Sequence, residues 1–97
     1  MSSETQLQYD IKIKEPKKYR VLLLNDDYTT VDFVIDILMN IFKKSYADAE
    51  RIMVSVHQKG SGVCGVYTKE IAQTKVLHVS NRAKDSGFPL KAIMEEE

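Results

Sequence analysis

The segment Tyr19-Arg20-Val21-Leu22-Leu23-Leu24 runs directly into Asn25-Asp26-Asp27. An aliphatic run this short, stopped by three polar acceptors, is a buried strand that ends in a loop. Whatever follows must cover it. Thr29 stands three residues before Asp32, the spacing of a capping box, and so starts a helix. Apolar residues dominate from Val31 to Phe42, and Asp32, Asp36 and Asn40 share one narrow polar stripe at i, i+4 intervals. A helix with so little polar surface is mostly buried.

The same logic carries to the C-terminus. Ser45 with Asp48 repeats the capping spacing, Ala49, Ile52, Met53 and Val56 form an apolar stripe, and Gly60 sits where a C′ glycine ends a helix. Gly62 to Tyr67 reads as a short strand. Thr68 caps a third helix with Ile71, Ala72, Val76, Val79 and Ala83 on its inner face. Gly87 and Pro89 stop that helix, and Leu90 to Met94 supply a last strand. The order β-α-α-β-α-β gives an α+β fold, a small, mostly antiparallel three-stranded sheet with three helices on one face. The same architecture is found in the C-terminal domain of the ribosomal stalk protein.

Residues 1–18 differ from this pattern. They carry Ser2, Ser3, Gln6, Gln8, four lysines and Pro16, with isolated apolar residues, and read as a mobile N-terminal extension to a core domain over 19–97. Ile11 and Ile13 alternate with charges and leave a short strand open there. Fully extended, the arm spans about 60 Å.

Composition narrows the function classes. With 97 residues the chain is one domain, and 14 Lys+Arg against 14 Asp+Glu leaves no net charge to hold nucleic acid or an anionic membrane. One cysteine, Cys64, excludes an internal disulfide and a thiolate zinc cluster. The first ten residues lack the apolar core of a signal peptide, and no apolar segment is long enough to span a membrane, so a soluble cytoplasmic protein is expected.

Asn25-Asp26-Asp27 is the densest group of acceptors. It suits a turn with an N-cap, and equally a cation site, metal or ammonium, served by two carboxylates and an amide oxygen. A receiver-type acidic pair is excluded because that fold needs about five βα units. His57 lies at the edge of the second helix's apolar stripe, a common structural place, and His78 reads as surface. No pair among His57, His78, Cys64 and Asp26 has metal-ligand spacing. No nucleophile is locally paired with a base and no phosphate loop is present. The residues thus describe a non-enzymatic interaction module without a metal or cofactor.

Longer stretches are more specific. Val21 to Ile35 with its Asn25-Asp26-Asp27-Tyr28-Thr29 centre, Met53-Val54-Ser55-Val56-His57-Gln58-Lys59-Gly60, Cys64-Gly65-Val66-Tyr67-Thr68 and Glu70-Ile71-Ala72-Gln73-Thr74-Lys75-Val76 together resemble the ClpS family. These are bacterial adaptors that deliver N-degron substrates to the Clp unfoldase–protease. The resemblance spans roughly residues 19–94.

It implies an ammonium site at Asn25, Asp26 and His57, and a side-chain pocket at Thr29, Val31, Val34, Met53, Val56 and Leu90. The ligand implied is a free N-terminal Phe, Tyr, Trp or Leu. Contact with the N-terminal domain of a Clp-family, ClpA-like AAA+ unfoldase is implied at Tyr28, Glu70 and Lys75, from a monomeric adaptor. Val31 departs from the family, which often carries Met at this rim position, and implies a wider entrance that admits Ile or Val. The rival readings are an assembly module of the ribosomal-stalk type and a small metal-dependent hydrolase. A stalk-type module does not need Asn25 and Asp26 together with His57, and a metal-dependent hydrolase would bind a divalent metal.

Overall fold

The computed structural model describes residues 16–97. Its elements are β1 (Lys18–Leu24), α1 (Val31–Asn40), α2 (Tyr46–Lys59), β2 (Ser61–Thr68), α3 (Lys69–Ser86) and β3 (Lys91–Glu96). The expected β-α-α-β-α-β order is therefore observed. β1 is the central strand, antiparallel to both neighbours in the sheet order β2-β1-β3.

Centrality explains the aliphatic composition of β1. Val21 and Leu23 point under the helices and are fully buried. Leu22, on the opposite face, lies between Val63 of β2 and Ile93 of β3. The register with β2 slips between Val21 and Leu22, leaving Cys64 as the extra residue of a bulge. Burial pushes the Cys64 thiol up to about 12, so it is a packed, protonated side chain. The core consists of Val21, Leu23 and Cys64 with Phe33, Val34, Ile37 and Leu38 of α1, Ile41 and Phe42 just after it, Ala49 and Val56 of α2, Ala72, Val79 and Ala83 of α3, and Leu90.

Helix boundaries follow local chemistry, with three departures from the sequence reading. The N-cap of α1 is Thr30, whose hydroxyl accepts from the Phe33 N–H. Thr29 does not cap because its hydroxyl donates to Asp26 instead. Thr68 occupies the N-cap position of α3 without a side-chain cap bond. Ile71 is 49% exposed rather than inward, because the buried stripe of α3 runs through Ala72, Val79 and Ala83, one position round the helix. The cap at Ser45 is as expected, with Ser45 Oγ accepting from the Asp48 N–H at 3.1 Å.

Gly60 ends α2 at φ 90°, a left-handed conformation that a residue with a Cβ rarely adopts. Two residues later a Cβ on Gly62 would come within 2.9 Å of the Val56 side chain, so glycine lets β2 pass close to α2. Of the extension, residues 1–15, with the strand option at Ile11 and Ile13, lie outside the described residues. Lys18 already belongs to β1, opposite Thr68. No helix among the described residues is long and apolar enough to cross a membrane.

Candidate functional site

The end of β1 and the end of α2 are tied by one bond, in which the Asn25 N–H donates to the Gly60 carbonyl at 2.9 Å. That bond places the acidic loop beside the last turn of α2, where His57 stands. Ser55 Oγ donates to the Ser61 carbonyl and holds the α2–β2 corner in place. Three segments distant in sequence thus meet at one corner: the loop after β1, the first turn of α1 and the last two turns of α2.

Between them lies a cavity of about 260 Å³, lined by Asn25, Asp26, Asp27, Thr29, Val31, Val34, Met53, Val56 and His57. A recess of about 20 Å³ shares part of this lining and adds Leu24 and Leu90. Asn25, Asp26, His57 and all six residues implied for the side-chain pocket therefore lie at one site, with Leu90 in the recess. One end of the wall is polar, formed by Asn25, Asp26, Asp27, Thr29 and His57. The other is apolar, formed by Val34, Met53 and Val56 with Val31 at the mouth, 53% exposed. Val34 and Val56 are almost fully buried and serve as core and cavity wall at once.

Asp26 is the organised member of the loop. Its Oδ1 accepts from the Tyr28 N–H at 2.8 Å and the Thr29 N–H at 2.7 Å, and its Oδ2 accepts from the Thr29 hydroxyl at 2.7 Å. Burial alone would raise its pKa. The Thr29 hydroxyl and the two amides outweigh that and hold the carboxyl below its ordinary value. A carboxylate offers about four lone-pair sites, so one on Oδ2 remains after these three bonds. Among the described residues, no hydrogen bond or ion pair engages the Asn25 side-chain amide, the His57 ring or the Asp27 carboxylate. What collects at the polar end is a set of acceptors: an amide oxygen, two carboxylates and an imidazole nitrogen. Acceptors beside an apolar cleft suit a ligand with a cationic donor head and an apolar body.

Leu24 is absent from the expected site, and Asp27 enters it only through the cation-site reading, not through the resemblance. Asp27 belongs to the acidic cluster that sequence marks, but spacing alone does not say which carboxylate faces the cleft.

The residues implied for docking lie elsewhere. Tyr28 is 79% exposed on the acidic loop. Glu70 lines a groove of about 680 Å³ with Pro16, Lys17, Tyr19, Thr68, Lys69 and Ile71. Lys75 is half-buried, and its ammonium donates to the Ile41 carbonyl at 2.7 Å, 6.0 Å from the Phe42 ring centroid and 5.8 Å from that of Tyr67.

The family model of the ATP-dependent Clp protease adaptor protein ClpS matches residues 14–93. The chain belongs to the ClpS family. Proteins of that name from Wolinella succinogenes and Oleidesulfovibrio alaskensis are similar to it. The first is 50% identical over 93 residues, covering 96% of this chain and 91% of its own. The second is 59% identical over 85 residues, covering 88% and 82%. The ClpS of Campylobacter jejuni is 52% identical over 94 residues, covering 97% and 98%. A solved structure of Agrobacterium tumefaciens ClpS2, bound to L-phenylalaninamide, superposes with a TM-score of 0.83 at 41% identity, over 86% of this chain and all of that one. ClpS proteins are adaptors, so this chain is an adaptor of an ATP-dependent Clp protease and not an enzyme. The ribosomal-stalk and hydrolase alternatives are thereby set aside.

Proposed function

We propose that the cavity between the acidic loop and α2 holds the N-terminal residue of a protein destined for degradation. Its α-amino group would be gripped by Asn25, Asp26 and His57, and its side chain would lie against Val31, Val34, Met53 and Val56. The observation that carries this reading is the meeting of a set of acceptors with an apolar cleft at one corner of the fold. An α-amino group has a pKa near 8, so at neutral pH it is an ammonium with three donors. The phenylalaninamide bound by the Agrobacterium relative has the same two parts, a free α-amino group and an aromatic side chain.

The energetics are adequate for reversible delivery. Charge-assisted hydrogen bonds contribute about 1.5–3 kcal/mol each. Burial of a Phe or Leu side chain adds about 1.5–3 kcal/mol. Three such bonds with the burial give about 6–12 kcal/mol, part of which association entropy offsets, so binding is reversible. Micromolar affinity corresponds to about 8 kcal/mol. An internal residue presents an uncharged amide nitrogen with one donor at most, so the site selects chain ends. The substrates are proteins beginning with Phe, Tyr, Trp or Leu, handed by a monomeric adaptor to a ClpA-like AAA+ unfoldase in the cytoplasm. Exposed Tyr28 and Glu70, with half-buried Lys75, serve the unfoldase contact.

Fluorescence anisotropy with a Phe-initiated peptide, free and N-acetylated, tests the proposal. Micromolar binding of the free peptide and loss of binding on acetylation are expected. Equal binding of the two would overturn it.

A further inference from the structure

We propose that Met53 is an oxidation site through which peroxide closes the pocket, because its sulfoxide puts a polar group into the apolar wall that the ligand side chain must cover. The inference rests on the pocket reading above and adds a covalent modification that governs it.

The described residues hold four sulfur atoms, in Cys64, Met39, Met53 and Met94. Cys64 is fully buried, and burial keeps its thiol protonated, whereas peroxide attacks the thiolate. A thioether has no proton to lose, so exposure decides which methionine reacts. Met39 is 37% exposed on α1 and lines no part of the cavity. Met94 is half-buried on β3, opposite Val21. Met53 is half-buried, packs against the core and lines the cavity beside Val34 and Val56. A water's share of liquid volume is about 30 Å³, so the 260 Å³ cavity admits a molecule as small as hydrogen peroxide.

In the reaction the sulfur lone pair takes one peroxide oxygen and the O–O bond breaks. The other oxygen leaves as water with both hydrogens, so sulfur is oxidised by two electrons and peroxide is reduced. The sulfoxide oxygen is a strong acceptor on a wall whose other apolar members, Val31, Val34 and Val56, donate nothing. At the polar end the Thr29 hydroxyl is already given to Asp26, and only the Asn25 amide and the His57 ring remain as side-chain donors. In the empty pocket water satisfies the sulfoxide. A seated Phe or Leu side chain would strip that water away, so oxidation and binding oppose each other. Methionine sulfoxide is reversed by the two epimer-specific reductases, which makes the closure reversible.

The test treats the full chain with dilute hydrogen peroxide, with and without saturating L-phenylalaninamide. Peptide mass spectrometry reads the oxygen gained at each methionine, and anisotropy reads affinity for a fluorescent Phe-initiated peptide. Affinity should fall at least about tenfold in step with the Met53 sulfoxide, while Tm stays within a few degrees. L-Phenylalaninamide at about 100 times its Kd should slow oxidation of Met53 at least about tenfold and leave Met39 unaffected. Treatment with both sulfoxide reductases should restore binding. A Met39→Leu/Met94→Leu variant should keep the loss. Met53→Leu, compared with its own untreated form, should not show it. Three results each overturn the inference and leave the pocket reading intact: Met53 unoxidised when Met39 is oxidised, the Met53 sulfoxide form binding within twofold of the untreated chain, or a loss that persists in Met53→Leu. Failure of the untreated chain to bind the Phe-initiated peptide overturns the pocket reading first.

Discussion

The Thr29 hydroxyl donates to Asp26 Oδ2 at 2.7 Å while the Thr29 N–H donates to Asp26 Oδ1, also at 2.7 Å. One residue thus grips both oxygens of the carboxylate and fixes its plane. Without that grip the carboxylate would turn about its side-chain torsions, and its spare lone pair would have no fixed direction. In this arrangement Thr29 positions Asp26, and Asp26 is placed to meet the ligand.

Thr29→Val keeps the shape of the side chain and removes the donor. Affinity for a Phe-initiated peptide at neutral pH should fall about threefold to tenfold, the worth of one net hydrogen bond. Stability carries a second signature. Because Asp26 has a depressed folded pKa, it stabilises the fold above its unfolded pKa, and that contribution is lost as pH falls through the folded value. The variant should therefore be less stable than the parent at neutral pH, with the difference closing under acid conditions below the ordinary carboxylate range. Urea titrations at both pH values check the sign. A difference that grows on acidification would show that Thr29 does not stabilise the ionised form.

Lys75→Met probes a residue that the resemblance assigns to unfoldase docking and that the structure shows half-buried. The Lys75 ammonium sits on the carbonyl of Ile41, the C-cap of α1, close to the faces of Phe42 and Tyr67. A cation there satisfies an otherwise orphaned helix-end carbonyl, complements the helix dipole and meets two rings. Methionine fills the space without the charge. A loss of about 1–2 kcal/mol is expected, read as a drop of several degrees in Tm. Peptide binding should be unaffected, because Lys75 does not line the pocket. An unchanged Tm would return Lys75 to the surface.

The strand, the loop and the helix stripes were legible because each is a local pattern: Val21 to Leu24 stopping at Asn25, Ser45 spaced from Asp48, Gly60 at a helix end. The neighbouring threonines were not separable by the same means. Thr29 and Thr30 both suit a cap, and the choice falls to Thr30 because Asp26 recruits the hydroxyl of Thr29. Ile71 was misplaced because apolar residues of α3 are scattered widely enough to fit more than one stripe. The bulge at Cys64 and the central place of β1 depend on pairings between distant segments, which no local window contains. Val34 and Val56 show the limit for the site. A valine packed in a core and a valine walling a cleft have the same periodicity; the family resemblance singles these two out, and the tie between Asn25 and Gly60 shows how the cleft is built.

Deletion of residues 1–15 separates recognition from delivery. The deletion ends before Lys18, so every strand pair of the sheet and every residue of the pocket remains. Peptide affinity should stay within about twofold of the parent, below the worth of one hydrogen bond. On the expectation that the N-terminal extension serves delivery, degradation of a Phe-initiated protein by the Clp protease should slow. The paired measurements are anisotropy and a degradation time course at matched occupancy. Undiminished degradation would remove the segment from the delivery step.

Val31 sets the last expectation, which concerns selectivity. It is the first residue of α1, follows the Thr30 cap and stands half exposed at the mouth of the cavity. A β-branched ligand carries a methyl close to its own backbone, at the depth of the mouth rather than the floor. A long side chain at position 31 would reach across that space and collide with the methyl. Valine, itself short and held stiff by its branching, leaves the space open. The protein should therefore bind Ile- and Val-initiated peptides, and Val31→Met should weaken them by about tenfold or more, since overpacking costs about 1–3 kcal/mol. Phe and Leu branch further from the backbone and should be nearly indifferent to the change. The ratio of Ile to Leu affinity in the two proteins is the measurement, because a general loss of binding cancels from it. An equal ratio in parent and variant would mean that the mouth is gated elsewhere, with Met53 on the facing helix the next side chain to exchange.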